Sequence, residues 1–331
     1  MARVLVTGGA GYIGSHTAKA LQQAGHTVVV LDDLSAGHVE ATRGLPLVRA
    51  RVHDSAAVRA ALVEHRIDAV MHFAAWLAVG ESVRHPGKYY ENNTTGTLAL
   101  LDAMVAEGVG RLVFSSTCAT YGEPQALPLT EDHPQSPVNA YGESKLAIER
   151  ALRHYDTAHG LRSIALRYFN AAGADPDGEL GEDHDPEIHL IPLAIRAARG
   201  GAELKVFGHD YPTPDGTCLR DYVHVTDLAD AHVKALAALE GGAASNRYNV
   251  GTGRPWSVRE VIDTVGRVVG APVRWSPAPR RDGDPSALYA ASARTQAELG
   301  WTPRHSDLET IVRTAAAWHA AHPGGYGTSV G

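Results

Sequence analysis

The sequence predicts an α/β protein with a doubly wound parallel sheet and a smaller domain of mixed α/β structure. Short apolar runs typical of buried strands alternate with helical stretches through the first half of the chain. The first apolar run ends in glycines that open a helix, and the second run ends at an acidic residue. After residue 170 this alternation breaks, and the elements become shorter and mixed.

Length and composition limit the possible classes of protein. The 331 residues are enough for one large or two medium-sized domains, and a hydrophobic content of 44% supplies a core. The net charge of −7 argues against nucleic acid or an anionic membrane as a general partner. Cys118 and Cys218 are too few for a disulfide framework and show no metal-ligand spacing. No signal peptide or membrane span is apparent, so we expect a soluble cytoplasmic protein.

The elements of the large domain follow from the apolar runs and the periodicity between them. The predicted strands lie at 3–7, 27–31, 69–73, 111–115 and 163–169. Helices are predicted from the glycine turn through Gln23, around 88–107 and at 141–159. Residues 171–187 are rich in Gly, Asp, Glu and Pro and predict a long loop. Residues 248–251 predict a strand that returns to the main sheet.

We therefore predict two domains that divide near residue 170. The first, 1–170, would bind a dinucleotide, and the second, 171–331, would bind mainly the substrate. A segment near 220–253 is expected to return to the main sheet. The cleft between the domains is the expected substrate site.

A glycine motif predicts the dinucleotide site. Gly8, Gly11 and Gly14 follow the first strand and open the first helix, the context in which glycines admit a pyrophosphate and allow close helix–strand packing. Asp32 ends the second strand, where a carboxylate accepts from the adenosine ribose and repels a 2′-phosphate. The motif therefore favours NAD over NADP. The alternative is that Asp32 and Asp33 are only turn or capping acids.

A tyrosine and a lysine one helical turn apart predict the catalytic group. Tyr141 and Lys145 share a helix face at i and i+4, and Thr117 ends a strand before them. A nearby ammonium would lower the pKa of the phenol toward the working range of a base. An amphipathic helix with a half-buried tyrosine is the alternative for this pair alone, but the glycine motif argues against it.

Several longer segments point to one family. They lie at 7–16, 72–75, 79–83, 92–93 with 96–97, 141–145, 167–170, 210–213 with 215–217, 220–224 and 279–284. Together they resemble the extended short-chain dehydrogenase/reductase family with its Rossmann domain, and within it the 4-epimerases that act on UDP-glucose. The resemblance extends over about residues 3–325. The resemblance implies reversible, NAD-dependent epimerisation at carbon 4 of UDP-glucose and UDP-galactose through a 4-keto intermediate, a step of galactose metabolism. It also implies a homodimer formed through the helices containing 88–107 and 141–159.

The resemblance assigns roles to individual residues. Tyr141 is the expected base, Lys145 its tuning partner and Thr117 a hydrogen-bond partner of the reacting hydroxyl. Cofactor binding is expected from Gly8, Gly11, Tyr12, Ile13, Gly14, Asp32, Val52, Phe73, Ala74, Ala75, Asn92, Tyr141, Lys145 and Phe169. Substrate binding is expected from Thr117, Tyr141, Asn170, His189, Phe207, Arg220, Arg281, Asp284 and Leu288.

Four positions depart from the family pattern. Thr117 stands where serine is commoner and keeps the hydroxyl. Leu77 replaces a lysine near the cofactor, and Arg51 replaces an aspartate near adenine, so NAD is expected to be held by fewer contacts. Leu288 stands at a pocket wall that is often tyrosine or a small residue.

Some alternatives remain at this point. Other candidates are a UDP-N-acetylhexosamine or UDP-pentose 4-epimerase, a 4,6-dehydratase or decarboxylase, and a non-catalytic NAD-sensing protein. Dehydratases carry acids after the strand-end hydroxyl, where this chain has Cys118 and Ala119. Among the site residues, Asn92 and Asn93 would otherwise cap a helix, His189 would be satisfied by backbone, and Arg220 would pair with Asp221. No histidine cluster shows convincing ligand spacing along the chain, so no metal is predicted.

Overall fold

A parallel sheet forms the centre of the molecule. The structure, a computed structural model, describes residues 1–281 and 284–327, so Asp282 and Gly283 of the 279–284 segment lie outside the described residues. Within the described part the sheet has seven strands in the order β10-β6-β5-β4-β1-β2-β3. They are β1 (Arg3–Thr7), β2 (Thr27–Asp32), β3 (Leu47–Arg49), β4 (Ala69–His72), β5 (Arg111–Thr117), β6 (Arg162–Tyr168) and β10 (Asn246–Val250).

Helices cover both faces of this sheet. In chain order the helices of the described part are α1 (Tyr12–Gln23), α2 (Ser55–Glu64), α3 (Val79–Arg84), α4 (Pro86–Tyr89), α5 (Gly96–Ala106), α6 (Ala140–His159), α7 (Leu190–Ala198), α8 (Val225–Glu240), α9 (Val258–Val269), α10 (Ala293–Leu299) and α11 (Leu308–Ala321). Val4 and Val6 of β1 pack with α1 and α8, whereas Leu5 packs with α2, α5 and α6. This alternation of period two places apolar side chains on both faces. The predicted doubly wound parallel sheet is thereby confirmed.

The strand order reverses at β1, which pairs with β2 on one side and β4 on the other. In open α/β sheets, ligands bind beyond the carboxyl ends of the strands at such a switch point. The glycine turn that follows Thr7 lies there. None of the helices in the described part is long and apolar enough to cross a lipid bilayer.

The predicted helix around 88–107 is interrupted. It consists of α4, a π-helical segment at Tyr90–Thr95 and α5. Helix α6 begins where predicted, because the side chain of Asn139 accepts a 2.9 Å hydrogen bond from the Gly142 amide and satisfies a free donor of the first turn. It ends at Gly160, which adopts a φ of 67°.

A second, mixed sheet lies beside the main one. It contains β7 (Asn170–Ala172), β9 (Leu219–His224), β11 (Pro255–Ser257) and β13 (Ala287–Leu288), in which β11 runs antiparallel to β9 and the others run parallel to it. The prediction of loop throughout 171–187 is therefore wrong at its start, because β7 pairs with β9 over residues distant in sequence. A parallel pair, β8 (Leu204–Phe207) with β12 (Trp275–Ala278), completes the strands of the described part.

A separate apolar core supports this second sheet. Helices α7, α9 and α11 pack together around Ile195, Val261 and Ile311. After β9 of the second sheet, the chain returns to the main sheet. Helix α8 packs on α1, and β10 pairs parallel with β6. The division of the chain near residue 170 remains a prediction. Of the segment predicted near 220–253 to return to the main sheet, β10 lies in that sheet, whereas β9 at its start belongs to the second sheet.

Candidate active site

The glycine turn after β1 is shaped for close approach. Gly8 has a φ of +71°, and a Cβ on it would lie 2.5 Å from the Ala74 nitrogen. A Cβ on Gly14 would collide with the Gly8 carbonyl oxygen. A Cβ on Gly11 would meet only that oxygen, at an ordinary 3.4 Å. Packing among the described residues thus requires glycine at positions 8 and 14. Gly11 is not needed for packing, and its lack of a side chain would let a pyrophosphate approach the backbone.

Helix α1 offers donors at the same place. The amides at the start of a helix have no partner within it, and its dipole favours an anion there. The first turn contains Tyr12 and Ile13, whose backbone amides are therefore suited to a phosphate. The Tyr12 side chain has another role, because its hydroxyl donates a 2.6 Å hydrogen bond to the Gly173 carbonyl.

Asp32 lies at the end of β2 beside the glycine turn. Its carboxylate accepts hydrogen bonds from the Ala10 amide at 3.0 Å and the Leu34 amide at 2.9 Å. Burial raises its pKa, and these two hydrogen bonds oppose that rise. Asp32 therefore organises this turn, and its remaining lone pairs are available to a ribose. Asp33 is separately engaged, in a 3.2 Å ion pair with Arg51.

The segment after β4 forms the other wall of this site. The amides of Phe73 and Ala74 donate to the Thr7 carbonyl at 2.8 and 3.1 Å. Ala75 follows them. Val52, also assigned to the cofactor, has its side chain in the apolar core beneath α5, so only its backbone is placed for contact.

Asn92 and Asn93 lie inside the π-helical segment rather than at a helix end, which excludes the capping alternative. The Asn93 side chain is buried and exchanges two 2.9 Å hydrogen bonds with the Trp76 backbone. Asn92 donates to the Asn93 side chain at 3.0 Å. Single π-helical turns often mark functional sites. The supporting role of Asn93 was missed, although a pair of asparagines within a helical pattern was its signal.

The three predicted catalytic residues come together at the end of β5. Thr117 is the last residue of β5, Tyr141 is in the first turn of α6, and Lys145 is one turn further; all three are buried. The Thr117 hydroxyl accepts from the Ala119 amide at 3.1 Å, and its interaction with Tyr141 lowers the pKa of the phenol.

Burial has the larger effect on Tyr141 and raises its pKa well above the ordinary value. The Lys145 ammonium donates a 2.8 Å hydrogen bond to the Ser115 carbonyl, and burial lowers its pKa to about 7. The prediction that Lys145 lowers the pKa of Tyr141 is therefore wrong when only the protein's own side chains and backbone act on the phenol. Burial disfavours both the phenolate and the ammonium, and this effect is larger than the attraction that the i, i+4 spacing predicts.

Two buried polar groups beneath the site were missed in the sequence. His72 bridges the Thr7 and Thr97 hydroxyls at 2.6 and 2.7 Å, and burial lowers its pKa to about 3. Arg167 and Glu149 form an ion pair in which both side chains are almost fully buried. An arginine near the end of the apolar strand β6 was the available signal for this pair.

The predicted substrate residues form two neighbouring groups. Phe169 packs in an apolar cluster, and Leu288 and Cys118, the residue that follows Thr117, both pack against this cluster. Arg220 faces Leu288 across the β9–β13 pairing and forms an ion pair with Asp284.

The suggested ion pair of Arg220 with Asp221 is absent from the described residues. Asp221 instead accepts from Thr252, from the Gly253 amide and from the Ala290 amide. Its carboxylate is thereby fully used in holding the segments around β10 and β13 to β9.

The remaining assigned residues lie on separate elements. The Arg281 guanidinium lies 4.0 Å from the centre of the Phe207 ring. Asn170 begins β7 and His189 precedes α7. The His189 imidazole pairs with the Glu182 carboxylate, not with backbone as the alternative held. Among the described residues, Arg220 contacts both Asp284 and Leu288, and Arg281 contacts Phe207. The contacts described for Asn170 and His189 are with other residues.

Comparison with known proteins identifies the family. The model of the "NAD dependent epimerase/dehydratase family" matches residues 4–251, about three quarters of the chain. The chain belongs to the NAD dependent epimerase/dehydratase family. Its glycine turn, the free donors of α1 and Asp32 suit the NAD on which this family depends.

Similar members of the NAD dependent epimerase/dehydratase family include a UDP-glucose 4-epimerase of Halalkalibacterium halodurans. It is 49% identical over 326 residues, which cover 98% of each chain. A crystal structure of UDP-glucose 4-epimerase from Brucella ovis in complex with NAD has a TM-score of 0.94 at 51% identity, covering 96% of this chain and 98% of that one. The enzyme from Bifidobacterium longum in complex with NAD⁺ and UDP has a TM-score of 0.93 at 37% identity, covering 98% and 100%.

Proposed function

We propose that this chain is an isomerase that interconverts UDP-glucose and UDP-galactose by inverting carbon 4 of the sugar. The observation that carries the proposal is the meeting of three buried residues, Thr117 at the end of β5 with Tyr141 and Lys145 one turn apart on α6, at the carboxyl edge of an NAD-type sheet. Relatives of nearly the same length that are about half identical are UDP-glucose 4-epimerases, which supports the same reaction here. Because the reaction interconverts the UDP forms of glucose and galactose, we assign it to galactose metabolism.

The reaction requires a proton and a hydride to leave the sugar together. Bound NAD supplies a reversible acceptor for the hydride of carbon 4. Tyr141 takes the proton of the 4-hydroxyl, which Thr117 orients, and later returns it. Lys145, one turn beyond Tyr141 and bonded to the Ser115 carbonyl, is proposed to hold the nicotinamide ribose with its remaining donors. Since nothing is oxidised overall, the same NAD serves every turnover.

Inversion requires the 4-keto sugar to turn while the nucleotide stays fixed. Arg220 and Arg281 are the proposed partners of the diphosphate, because a guanidinium pairs with two oxygens at once. Arg220 is nearly buried and held by Asp284, so it is a rigid anchor. Phe169 and Leu288 belong to one apolar cluster with Cys118, the residue after Thr117, and are the proposed wall against which the sugar turns. Asn170, His189 and Phe207 are proposed for the remaining nucleotide contacts.

A dehydratase needs acid–base groups where this chain has Cys118 and Ala119. Burial raises the pKa of the Cys118 thiol to about 12, and Ala119 has no titratable group. Neither residue exchanges protons at neutral pH, so elimination of water lacks its catalysts. A non-catalytic NAD sensor has no need of the buried Tyr141, Lys145 and Thr117, which argues against that alternative.

We also propose a homodimer in the cytoplasm. Helices α5 and α6 lie side by side on one face of the main sheet, and Leu98, Val105 and Tyr155 remain partly exposed there. A second copy of this chain would cover these side chains. Both cysteines are free thiols, as is usual in a reducing compartment. Light scattering during gel filtration tests the dimer, and a mass of one chain would contradict it.

The function is tested with the purified chain and no added NAD. We expect UDP-galactose to be converted to UDP-glucose, followed by NMR, because NAD remains bound. UDP-N-acetylgalactosamine in a parallel sample is expected to react more slowly. Loss of water from the sugar, or no turnover even with added NAD, would contradict the proposal.

A further inference from the structure

Four potential metal ligands meet in the loop between β7 and α7. They are Glu182, His184, Glu187 and His189, and one ligand atom from each lies within 4.8 Å of all the others. Their spacing along the chain is irregular, so the sequence did not reveal them as a group. The turn of the loop brings together two carboxylates and two imidazoles.

The two carboxylates are buried side by side. The side chain of Glu182 is 4% exposed and that of Glu187 is 0% exposed. One Glu187 oxygen accepts from the amides of Ile188 and His189 at 2.7 and 2.9 Å. The other, Oε2, is buried and has no hydrogen-bond partner among the described residues. A buried carboxylate oxygen without a partner is costly, so a cation or a donor beside this carboxylate would stabilise it.

We propose that Glu182, His184, Glu187 and His189 bind one divalent transition-metal ion, with Zn²⁺ the best fit. Two imidazole nitrogens and two carboxylate oxygens match the ligands and the number of a tetrahedral zinc site. Two carboxylates neutralise the dication, so the occupied site carries no net charge in its buried surroundings. Four protein ligands leave no open position, which makes the site structural rather than catalytic.

The position of the cluster explains what the metal would stabilise. The His184 ring makes an edge-on contact with the Tyr12 ring, with centroids 6.2 Å apart, and Tyr12 begins α1 at the glycine turn. His189 immediately precedes α7 in the second core. One ion would therefore fix the loop that connects the NAD side with α7.

The competing arrangement is two imidazolium–carboxylate pairs without metal. His184 and His189 both pair with Glu182 and approach Glu187. Tyr12 from α1 and His319 from α11 also face the two glutamates. Metal binding must displace the imidazole protons, so affinity for the ion rises with pH, whereas pairing of protonated imidazoles with carboxylates weakens as pH rises.

The test uses the full chain without a polyhistidine tag. The protein is incubated with a small excess of ZnCl₂ at neutral pH and dialysed, and the bound metal is measured by mass spectrometry. We expect about one Zn²⁺ per chain and a higher melting temperature with Zn²⁺ than with Mg²⁺. Replacement by Co²⁺ is expected to give the strong visible absorption of a tetrahedral site. No retained zinc in the wild-type protein would overturn the proposal.

Matched variants distinguish zinc binding at this cluster from nonspecific zinc binding at the protein surface. Glu187→Gln keeps the shape of the side chain and removes its charge, and His184→Asn removes one nitrogen ligand. Either change is expected to weaken Zn²⁺ binding by at least about tenfold. Asp185→Asn alters an exposed acid in the same loop and is expected to bind zinc like the wild type.

Circular dichroism of each metal-free variant checks that it is folded, and a folded variant of either cluster residue suffices for the test. Equal zinc binding by the folded cluster variants and by Asp185→Asn would refute the assignment.

Discussion

Glu149 lies one helical turn beyond Lys145 on α6, and its charge raises the pKa of the Lys145 ammonium that burial lowers to about 7. The same carboxylate accepts from the Ser116 hydroxyl at 2.5 Å and pairs with buried Arg167. Tyr141, Lys145 and Glu149 thus share one face of α6 at intervals of four residues. Glu149 connects the protonation of the catalytic lysine to the strand that ends at Thr117.

We expect Glu149→Gln to move the alkaline limb of the pH–rate profile to lower pH. Without the carboxylate, burial lowers the pKa of Lys145 further, and Lys145 loses its charge at a lower pH. The variant also leaves Arg167 buried without its partner, which costs about 3–5 kcal/mol of stability. Kinetics at several pH values and urea unfolding measure the two effects. Glu143→Gln, on the same helix, is the control, and an unshifted profile in a folded Glu149→Gln protein would contradict the coupling.

Tyr141→Phe is expected to reduce turnover by about 10² to 10⁴ while NAD remains bound. The change removes only the hydroxyl that transfers the proton, and the ring still fills its buried place. Steady-state rates with UDP-galactose and the NAD content of the purified protein measure both expectations. Tyr155→Phe removes a hydroxyl from the same helix and should leave the rate unchanged. Near-wild-type turnover by Tyr141→Phe would show that Tyr141 is not the base.

The nucleotide released from denatured, freshly purified protein is expected to be NAD. The Asp32 carboxylate, held by the Ala10 and Leu34 amides, would repel a 2′-phosphate. Asp32→Asn removes this charge and should increase the share of NADP among released nucleotides. Asp33→Asn, whose native carboxylate pairs with Arg51, is the matched control and should not change that share. Release of mainly NADP by the wild type would refute the role of Asp32.

Substitutions at Leu288 are expected to change the preference between plain and N-acetylated sugars. Leu288→Ser enlarges the space beside Phe169 and should strengthen turnover of UDP-N-acetylgalactosamine; Leu288→Tyr should abolish it and largely spare UDP-galactose. The expected effect is roughly 1–3 kcal/mol in relative specificity, because a few apolar atoms decide it. The ratio of kcat/KM for the two substrates is the measurement.

Ala287→Ser serves as the control for Leu288, because neighbouring residues of a strand point to opposite faces. Constant ratios in both Leu288 variants would show that this side chain does not face the sugar.

The protein is expected to lose stability as the pH falls from about 6.5 toward 4. His232 is fully buried, and burial lowers its pKa to about 4, so it stays neutral when folded but takes a proton when unfolded. The unfolded state then binds more protons in this window, and acid favours unfolding. His232→Leu should reduce the slope of unfolding free energy against pH by up to about 1.4 kcal/mol per pH unit.

Urea unfolding at several pH values, with NAD held constant, measures the slope for His232→Leu. His154→Leu, at an exposed position of α6, is the control. An equal slope in His232→Leu and the wild type would contradict the effect of burial.

The sequence by itself determined the features that depend on short-range geometry. The strand, turn and helix around Gly8, Gly11 and Gly14 could be predicted because they follow each other within a few residues. Asp32 followed from the end of the next strand, and Tyr141 and Lys145 from the i, i+4 spacing of a helix. These patterns involve residues that are close in sequence, so the class of sheet and the position of the NAD site could be predicted without knowledge of the packing.

Only the tertiary structure decided the pairings between distant segments and the effects of burial. Arg220 pairs with Asp284 and not with its neighbour Asp221, because β13 lies against β9. Burial raises the pKa of Tyr141 where spacing alone suggested a decrease, since desolvation depends on everything packed around the phenol. The cluster of two glutamates and two histidines at 182–189 likewise depends on the path of a loop, which no periodicity specifies.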